Sequence, residues 1–599
     1  MKTKHKLCLI LASIIWLTPV AGASAQFDAF RKFAKGETAP TKQIAYFKIK
    51  GALAETPTRM PPLFGSEPPL SLKELLERFK QARRDNDVVA VVVDLQSAAL
   101  GFAQLQEIHE SLGKFAAVDK EVYVHADSLS TGRYALATGA SHLSMVPTGD
   151  LWLIGLYGET PYLRGALDKL GCVPDFEHCG DFKTGAESIT RTGPSDESKE
   201  MTKWLVDAIY EDLVKLIAES RGMSPVKVRS VIDNGPYSAK EALEAGLIDS
   251  VKHRQEFIAD IKRVHGEDVE FVTDYGKKDP FDIPDDNIFA AFEFLMKLFN
   301  PTPKVYTEPS VAIVYVEGAI VTGSAESSPF GTTPGAFSTT IRKALDKAAG
   351  DDTVKAVVLR VDSPGGSALA SEIILNAAKG VAAKKPIVVS MGNVAGSGGY
   401  YVTCASETIF ADSSTITASI GVLGGKLVTT GMWDKVGINW HAVQRGEMAG
   451  MLSSAKGFTD AERAKFKGYM NAVYEIFKGH VVAARGDRLT KPIDEIAGGR
   501  VFTARQAIEL GLVDRIGGLE DAIKFAAKQV GLGEYEVRVI PEPASIFDIF
   551  MGSKGDDEFA ILPRRSSSSL MAIEPFRTML PAIARVDPLR AAAIFRTLQ

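Results

Sequence analysis

The sequence has few of the residues on which metal and redox chemistry depend. It contains 4 cysteines and 9 histidines among 599 residues, and neither a CxxC pair nor an HExxH grouping occurs. The usual zinc sites are therefore excluded, and we predict no metal and no cofactor. Cys172 and Cys179 are close enough in sequence for a disulfide bond in an oxidising compartment, although two free thiols fit the sequence equally well.

An excess of charge of one sign is also missing. Lys and Arg number 69 against 74 Asp and Glu, a formal net charge of −5, and no basic stripe with interleaved aromatic residues is present. Nucleic-acid binding needs such a surface, so nucleic acid is not an expected partner. With 45% apolar residues, the chain can instead bury a large core and form more than one domain.

The N-terminus has the pattern of an export signal. Three lysines within the first six residues precede an apolar run at 7–20, and a small-residue cleavage site follows at 23–25. Because residues 7–25 approach the length that a bilayer requires, we predict that residues 1–25 form either a signal peptide or an N-terminal membrane anchor. A linker, 26–43, is expected to follow.

The two halves of the chain resemble each other. Ile44–Ala52 resembles Val311–Ala319, and Ala245–Asp249 resembles Leu510–Asp514. The separation stays close to about 266 residues along the chain, which is the signature of an internal repeat. We therefore expect two copies of one structural unit.

Each copy is predicted to be an α/β half-domain. Short apolar, β-branched runs alternate with helical stretches such as 72–84 and 337–349, a pattern typical of a mostly parallel sheet flanked by helices. In layout the half-domains resemble the crotonase and Clp-protease folds. The predicted domains and their connections are an N-terminal repeat, 44–300, a linker, 301–309, a C-terminal repeat, 310–544, and a mobile tail, 545–599.

A candidate nucleophile lies in the second repeat. Ser397 stands where an apolar strand passes through a glycine-rich turn into a helix, and its flanking glycines allow a sharp turn that leaves the hydroxyl uncovered. A second glycine turn, in 363–366, follows a neighbouring strand. The N–H groups of Gly365 or Gly366, together with that of Gly398, are candidates for an oxyanion hole. Each turn alone is equally typical of an ordinary strand-to-helix connection.

The candidate base is a lysine in the first repeat. The histidines show no accompanying aspartate pattern, which argues against a Ser-His-Asp triad. Ser397 aligns with Thr131 in the other copy, and Lys183 aligns with Ala449. Because each copy has lost what the other retains, we predict a Ser397/Lys183 dyad across the two repeats. A solvated surface lysine is the alternative interpretation.

These motifs, in this order, resemble the protease IV family, also called signal peptide peptidase A, in its long, duplicated form. The resemblance is carried by the nucleophile motif at 395–400, the lysine motif at 180–184 and the oxyanion turn at 363–366. It implies a serine endopeptidase that degrades cleaved signal peptides and other unstructured apolar peptides at the membrane. It also implies that Ser419 orients the lysine.

The same resemblance implies a bacterial inner-membrane location, with the catalytic part facing the periplasm, and a homotetramer. Two other functions stay open. A crotonase-like enzyme would use the same glycine N–H groups on an acyl-CoA thioester, and a non-catalytic membrane scaffold would retain the fold without the chemistry. Export argues against the first, because CoA chemistry is cytoplasmic.

Overall fold

The computed structural model describes most of the two repeats. The described residues are 42–57, 69–277 and 306–542, apart from 326, 329–330 and 333. All of them belong to one compact unit, Met1–Phe550. The predicted signal or anchor and the predicted tail lie outside the described residues.

The first repeat alternates strands and helices. Its strands are β1 (Gln43–Lys48), β2 (Val88–Asp94), β3 (Glu121–Ser130), β4 (His142–Trp152), β5 (Val173–Cys179), β6 (Tyr237–Ser238), β7 (Ser250–Val251) and β8 (Glu270–Thr273). Its helices are α1 (Leu72–Arg84), α2 (Phe102–Gly113), α3 (Thr131–Ala137), α4 (Arg164–Leu170), α5 (Glu187–Thr190), α6 (Asp196–Arg221), α7 (Pro225–Asp233), α8 (Ala239–Glu244) and α9 (Arg254–His265).

The second repeat continues the alternation. Its strands are β9 (Ser310–Glu317), β10 (Ile320–Val321), β11 (Ser327–Ser328), β12 (Gly331–Thr332), β13 (Ala336–Phe337), β14 (Val354–Ser363), β15 (Ile387–Gly396), β16 (Thr408–Ala411), β17 (Ile416–Ala418), β18 (Val422–Val428), β19 (Val501–Thr503), β20 (Arg515–Ile516) and β21 (Glu536–Val539). Its helices are α10 (Ser338–Gly350), α11 (Ala368–Ala382), α12 (Gly398–Thr403), α13 (Thr430–Lys435), α14 (Asp460–Arg485), α15 (Ile493–Ile496), α16 (Ala504–Glu509) and α17 (Leu519–Gln529).

Two sheets of the same topology organise these elements. The first has the strand order β6-β4-β3-β2-β1-β8 with β7 beside β4, and the second has the order β19-β17-β15-β14-β9-β21 with β16 beside β15. The central pairs are parallel, and β6 and β19 are the antiparallel strands at one edge. The predicted fold class, a mostly parallel sheet flanked by helices in each half, is confirmed.

The central strands are buried because their residues are apolar on both faces. β2 reads VVAVVVD, and all but the last residue of β9, SVAIVYVE, are buried. Helices must therefore cover each sheet on two sides. In α1, for example, Ser71 caps the first turn through the Glu74 N–H, and an apolar face that includes Leu75 and Phe79 is buried.

The duplication extends to single hydrogen bonds. The Tyr134 hydroxyl donates to the Leu247 carbonyl at 2.8 Å, and the Tyr400 hydroxyl donates to the Leu512 carbonyl at 2.9 Å in the corresponding place of the second repeat. Both tyrosines are completely buried. Tyr134 lies in the helix that follows β3, and Tyr400 lies in the helix that follows β15. The exact boundary between the repeats stays a prediction, because residues 278–305 lie outside the described residues.

One strand of each repeat lies outside the two main sheets, and these two strands pair with each other. β5 of the first repeat and β18 of the second form a separate antiparallel ribbon, from Val173 opposite Val428 to Cys179 opposite Val422. Cys172 and Cys179 flank this region as buried free thiols. Among the helices that the structure describes, none has the length and apolar character that a membrane span requires.

Candidate active site

Ser397 occupies a strained junction between β15 and α12. Its backbone has φ 54° and ψ −118°, in a region that favours glycine, and its N–H donates to the Ala418 carbonyl at 2.7 Å. The neighbouring residues from Ala395 to Thr403 are buried, whereas Ser397 is partly exposed. The turn therefore presents the serine at the surface of an otherwise buried segment.

Strain of this kind is concentrated at the site. Five non-glycine residues among those described have positive φ, and three of them, Ser397, Ala418 and Ser419, adjoin one another here, the others being Asp119 and Asp274. Such conformations cost of order 1–3 kcal/mol each and persist where the surroundings hold them in place. A functional site is the usual location of stored strain.

The predicted oxyanion turn packs directly against the nucleophile. Gly365 and Gly366 have φ 97° and 154°. A Cβ at Gly365 would lie 2.7 Å from the Ser397 Cβ and 2.6 Å from the Gly398 nitrogen. The Gly365 N–H donates to the Ser363 hydroxyl at 3.1 Å. This bond leaves the amides of Gly366 and Gly398 as the better placed donors beside Ser397.

The β5–β18 ribbon carries Lys183 into the same region. Cys179, at the end of β5, is opposite Val422, at the start of β18, so the chain leaving β5 meets the chain entering β18. Lys183 Nζ donates to the Ser419 carbonyl oxygen at 2.8 Å and to the Ser419 Oγ at 2.9 Å. The lysine of one repeat is thereby joined to the strained segment of the other.

A glycine pair fixes the backbone of the lysine. The Phe182 N–H donates to the Gly498 carbonyl at 2.9 Å, and the Gly499 N–H donates to the Ile420 carbonyl at 2.8 Å. A Cβ at Gly499 would lie only 2.5 Å from the Lys183 nitrogen. The loop between α15 and β19 therefore fits against the lysine as closely as backbone atoms allow, and any side chain there would displace it.

Burial changes the protonation of this lysine. The Lys183 side chain is only partly accessible, and its two acceptors are neutral oxygens of Ser419. Desolvation lowers the pKa of Lys183 from 10.5 to about 8, because burial disfavours the ammonium form and no carboxylate of the described residues accepts its hydrogen bonds. A substantial neutral fraction is consequently present under mildly alkaline conditions.

The predicted nucleophile and base are connected through the adjacent residues Ala418 and Ser419. The Ser397 N–H donates a hydrogen bond to the Ala418 carbonyl, and Ser419, which follows Ala418 in the chain, accepts hydrogen bonds from Lys183. A Cβ at Gly396 would lie 3.8 Å from the Ser419 Cβ. A hydroxyl, a low-pKa amine and adjacent backbone amides are the components of acyl transfer to a serine.

The corresponding place in the first repeat has a different use. The Thr131 hydroxyl donates to the Trp152 carbonyl at 3.0 Å and accepts from the Ile154 N–H at 3.2 Å. The Arg133 guanidinium donates to the Gln96 carbonyl at 2.8 Å. Gln96 precedes residues 97–100, which align with the glycine turn at 363–366 and contain no glycine. Thr131 thus holds the strand that follows, and its hydroxyl is committed to structure.

Two contributors were not predicted from the sequence. Gly499 shapes the lysine loop, and Ser363 holds the glycine turn through hydrogen bonds to Gly318 and Gly365. The adjacent pair Gly498-Gly499 is a signal that points to a tight turn. Nothing local to the pair indicates that it packs on a lysine more than 300 residues earlier in the sequence.

A serine at a strand-to-helix junction of a mostly parallel sheet, beside backbone amides and a low-pKa amine, defines the class of α/β serine hydrolases. The model of peptidase family S49 matches residues 114–267 and 379–533, one match in each repeat. The chain belongs to peptidase family S49, in the long form that contains the family domain twice, and it is a serine peptidase.

The chain is similar to individual proteins as well as to the family model. The chain is 28% identical over 469 residues to "Serine protease SPPA, chloroplastic" of Arabidopsis thaliana, covering 77% of this chain and 66% of the relative. It is 28% identical over 524 residues to "Protease 4" of Salmonella typhi, covering 86% and 79%. A solved ClpP1 structure from Listeria monocytogenes is 14% identical, covers 35% of this chain and 94% of its own, and has a TM-score of 0.23.

Proposed function

We propose that Ser397 is the nucleophile and Lys183 the general base of this peptidase. The observation that carries the proposal is the position of the Lys183 amine, which is held by two neutral acceptors on Ser419 beside the strained Ser397 turn. A neutral amine has two N–H groups and one lone pair. Since both N–H groups point to Ser419, the lone pair is left to accept the Ser397 proton.

The proposed reaction uses only groups of this chain. Neutral Lys183 takes the proton of the Ser397 hydroxyl as its oxygen attacks the peptide carbonyl. The negative charge that develops on that carbonyl oxygen is stabilised by hydrogen bonds from two backbone N–H groups, that of Gly366 in the glycine turn with Gly365 and that of Gly398 at the start of α12. The Lys183 ammonium then protonates the leaving amine, and the regenerated amine activates a water that hydrolyses the acyl-enzyme.

We further propose that the substrates are unstructured apolar peptides at the membrane, including remnants of cleaved signal peptides. The similarity to Protease 4 supports this class, as does the export signal expected at residues 1–25. By the same reasoning the enzyme faces the periplasm at a bacterial inner membrane.

A homotetramer is the proposed assembly. Large apolar side chains are exposed on one segment of each repeat, 152–173 and 427–452, with Tyr157, Val443 and Leu452 exposed to 88%, 83% and 65%. Exposed apolar residues in such number support contact with other subunits or with a membrane.

The test compares cleavage of a fluorogenic apolar peptide by wild type, Ser397→Ala and Lys183→Met. Lys426→Met is the matched control, because Lys426 is also a buried lysine with a lowered pKa, and its amine donates to the Met451 carbonyl at 2.6 Å. We expect folded but inactive Ser397 and Lys183 variants and an active control. Near-normal turnover by Lys183→Met would overturn the dyad.

A covalent probe separates the peptidase from a scaffold of the same fold. An acylating or phosphonylating reagent directed at active-site serines should label the wild type at Ser397, and peptide mapping should locate the adduct there. Labelling of Ser397→Ala to the same extent would show that another residue carries the chemistry.

A further inference from the structure

Arg360 on β14 is a fully buried cation that joins the two repeats. Within its own repeat, its guanidinium donates to the Ser390 hydroxyl at 2.8 Å and to the Met391 carbonyl at 3.0 Å, both on β15. Its other nitrogens donate to Glu55 at 2.9 Å and to Glu107 at 2.6 Å. Both carboxylates belong to the first repeat, and Arg360 has 0% of its surface exposed.

Each carboxylate has a second partner that fixes its direction. The Gln104 amide donates to the other oxygen of Glu55 at 2.9 Å. The N–H of Leu519, the first residue of α17, donates to the other oxygen of Glu107 at 2.7 Å. Because both acids are bonded on two sides, the cluster has little freedom to rearrange, and it defines the orientation of α2 against β14, β15 and α17.

Asn393 makes a second link at the same interface. It lies on β15, its Oδ1 accepts from the Gln104 N–H at 3.4 Å, and a Cβ at Gly101 would lie only 2.0 Å from that oxygen. Its amide nitrogen donates to Asp362 at 3.3 Å. The start of α2 therefore fits against β15 only because residue 101 is glycine.

These links sit on the two strands that lead to the active site. β14 passes through Arg360 and ends at Ser363, just before the glycine turn with Gly365, and β15 passes through Ser390 and ends at Gly396, just before Ser397. The opposing acids belong to the repeat that supplies Lys183. The cluster thus spans the interface across which the dyad forms.

We propose that Arg360 is a positioning residue of the peptidase: with Glu55 and Glu107 it fixes the orientation of the two repeats so that the lysine of one reaches the serine of the other. This inference rests on the proposed dyad. Arg360 touches neither substrate nor the reacting atoms, and it acts through the geometry of the interface.

Comparison of the two repeats supports this role. The residue aligned with Arg360 in the first repeat is Asp94, which accepts a hydrogen bond from Tyr46 within its own half at 2.9 Å. The charge is thus reversed at the aligned position, where the carboxylate accepts hydrogen bonds from Tyr46 and Gln96 of its own repeat. Replacing a buried ion pair by apolar residues is often neutral for stability, and fixing a unique arrangement is the better attested role of such groups.

Arg485 provides a matched control. It is also buried, with 1% of its side chain exposed, and it makes a bidentate ion pair with Asp514 at 2.6 and 2.9 Å. Both partners lie in the second repeat, so this pair stabilises one half without spanning the interface. Arg485→Lys and Arg360→Lys remove the same planar fork and keep the same charge.

The experiment compares kcat, KM and the pH profile of kcat/KM for the two variants and the wild type. For Arg360→Lys we expect kcat to fall about 10- to 100-fold with KM changed less than about threefold, since a displacement near 1 Å has such effects. Loosening the interface should also hydrate Lys183 and move the apparent pKa upward from about 8. Arg485→Lys should lower the melting temperature alone.

Glu107→Gln tests the same interface if Arg360→Lys does not fold, because it retains the shape of the side chain and leaves Glu55 to pair with Arg360. For Glu107→Gln we expect a smaller fall in kcat than for Arg360→Lys, with the same upward shift of the apparent pKa in the pH profile of kcat/KM. Folded Arg360→Lys or Glu107→Gln with wild-type kcat and pH profile would overturn the inference, as would an equal effect of Arg485→Lys. Retained activity of Lys183→Met would instead refute the dyad, independently of Arg360.

Discussion

The Lys183 amine donates two hydrogen bonds to Ser419, a residue 236 positions later in the chain, at 2.8 Å to the carbonyl oxygen and 2.9 Å to Oγ. No local element connects the two residues. They meet because β5 and β18 pair in an antiparallel ribbon, which places the chain just after β5 beside the chain just before β18. The lysine is thus placed by the duplication itself.

The first prediction concerns pH. Since burial lowers the pKa of Lys183 to about 8 and the neutral amine is the active form, kcat/KM should rise about tenfold from pH 7 to pH 9 and then level off. Lys183→Arg should show no such rise, because arginine stays charged. A profile measured with the fluorogenic peptide that is flat over this range would contradict a lysine base.

The same shift has a consequence for stability. The unfolded chain holds this proton up to about pH 10.5 and the folded chain only to about pH 8, so the unfolded state binds more protons between these values. The contribution of Lys183 to the free energy of unfolding therefore rises with pH through this window. Denaturant titrations of wild type and Lys183→Met, compared at pH 7 and pH 10, should reveal the difference.

The second prediction separates the hydroxyl of Ser419 from its backbone. Ser419→Ala and Ser419→Gly both remove the Oγ that accepts from Lys183, so each should lower kcat by about tenfold, the value of one hydrogen bond. Because φ is 55° at this position, the glycine variant should be the more stable by about 1 kcal/mol. Equal kcat for wild type and Ser419→Ala would show that the carbonyl alone orients the amine.

The third prediction tests the close fit behind the lysine. Gly499→Ala would place a methyl group 2.5 Å from the Lys183 nitrogen, so we expect about a 100-fold loss of kcat from displacement of the base. Gly498→Ala is the control: it has a similar φ, 73°, with nothing within 4 Å of its Cβ, and should cost about 1 kcal/mol of stability with activity retained. Equal losses of activity would attribute the effect to backbone strain.

The fourth prediction concerns the glycine turn. Gly366→Ala would place a methyl group 2.1 Å from the Ile320 carbonyl oxygen at φ 154°, so the turn must move and kcat should fall about 100-fold through loss of an oxyanion donor. Gly380→Ala, in the exposed part of α11 with open space around it, should leave kcat unchanged and raise stability by up to about 1 kcal/mol. Steady-state kinetics with the fluorogenic peptide and thermal melts of both variants measure these effects on kcat and on stability.

Local patterns predicted much of the fold. The helix expected at 72–84 is α1 (Leu72–Arg84), and the helix expected at 337–349 is α10 (Ser338–Gly350). Strand ends are less apparent from apolar runs, since β15 extends beyond its apolar start through Asn393 to Gly396. The end of β15 belongs to the strand because Val394–Gly396 pair with Ile416–Ala418 of β17.

The sequence by itself determined the two half-domains and the strand-to-helix turn with Ser397. Comparison of the two repeats also led to the prediction that Lys183 of one repeat acts with Ser397 of the other. These features depend on short-range patterns or on self-similarity, which a chain displays without being folded. Only the tertiary structure decided that Gly499 supports the lysine, that Thr131 is structural and that Arg360 is buried between acids of the other repeat. Contacts such as that of Gly499 with Lys183 join residues hundreds of positions apart. Tertiary packing determines which residues meet in this way, and the neighbouring sequence does not indicate it.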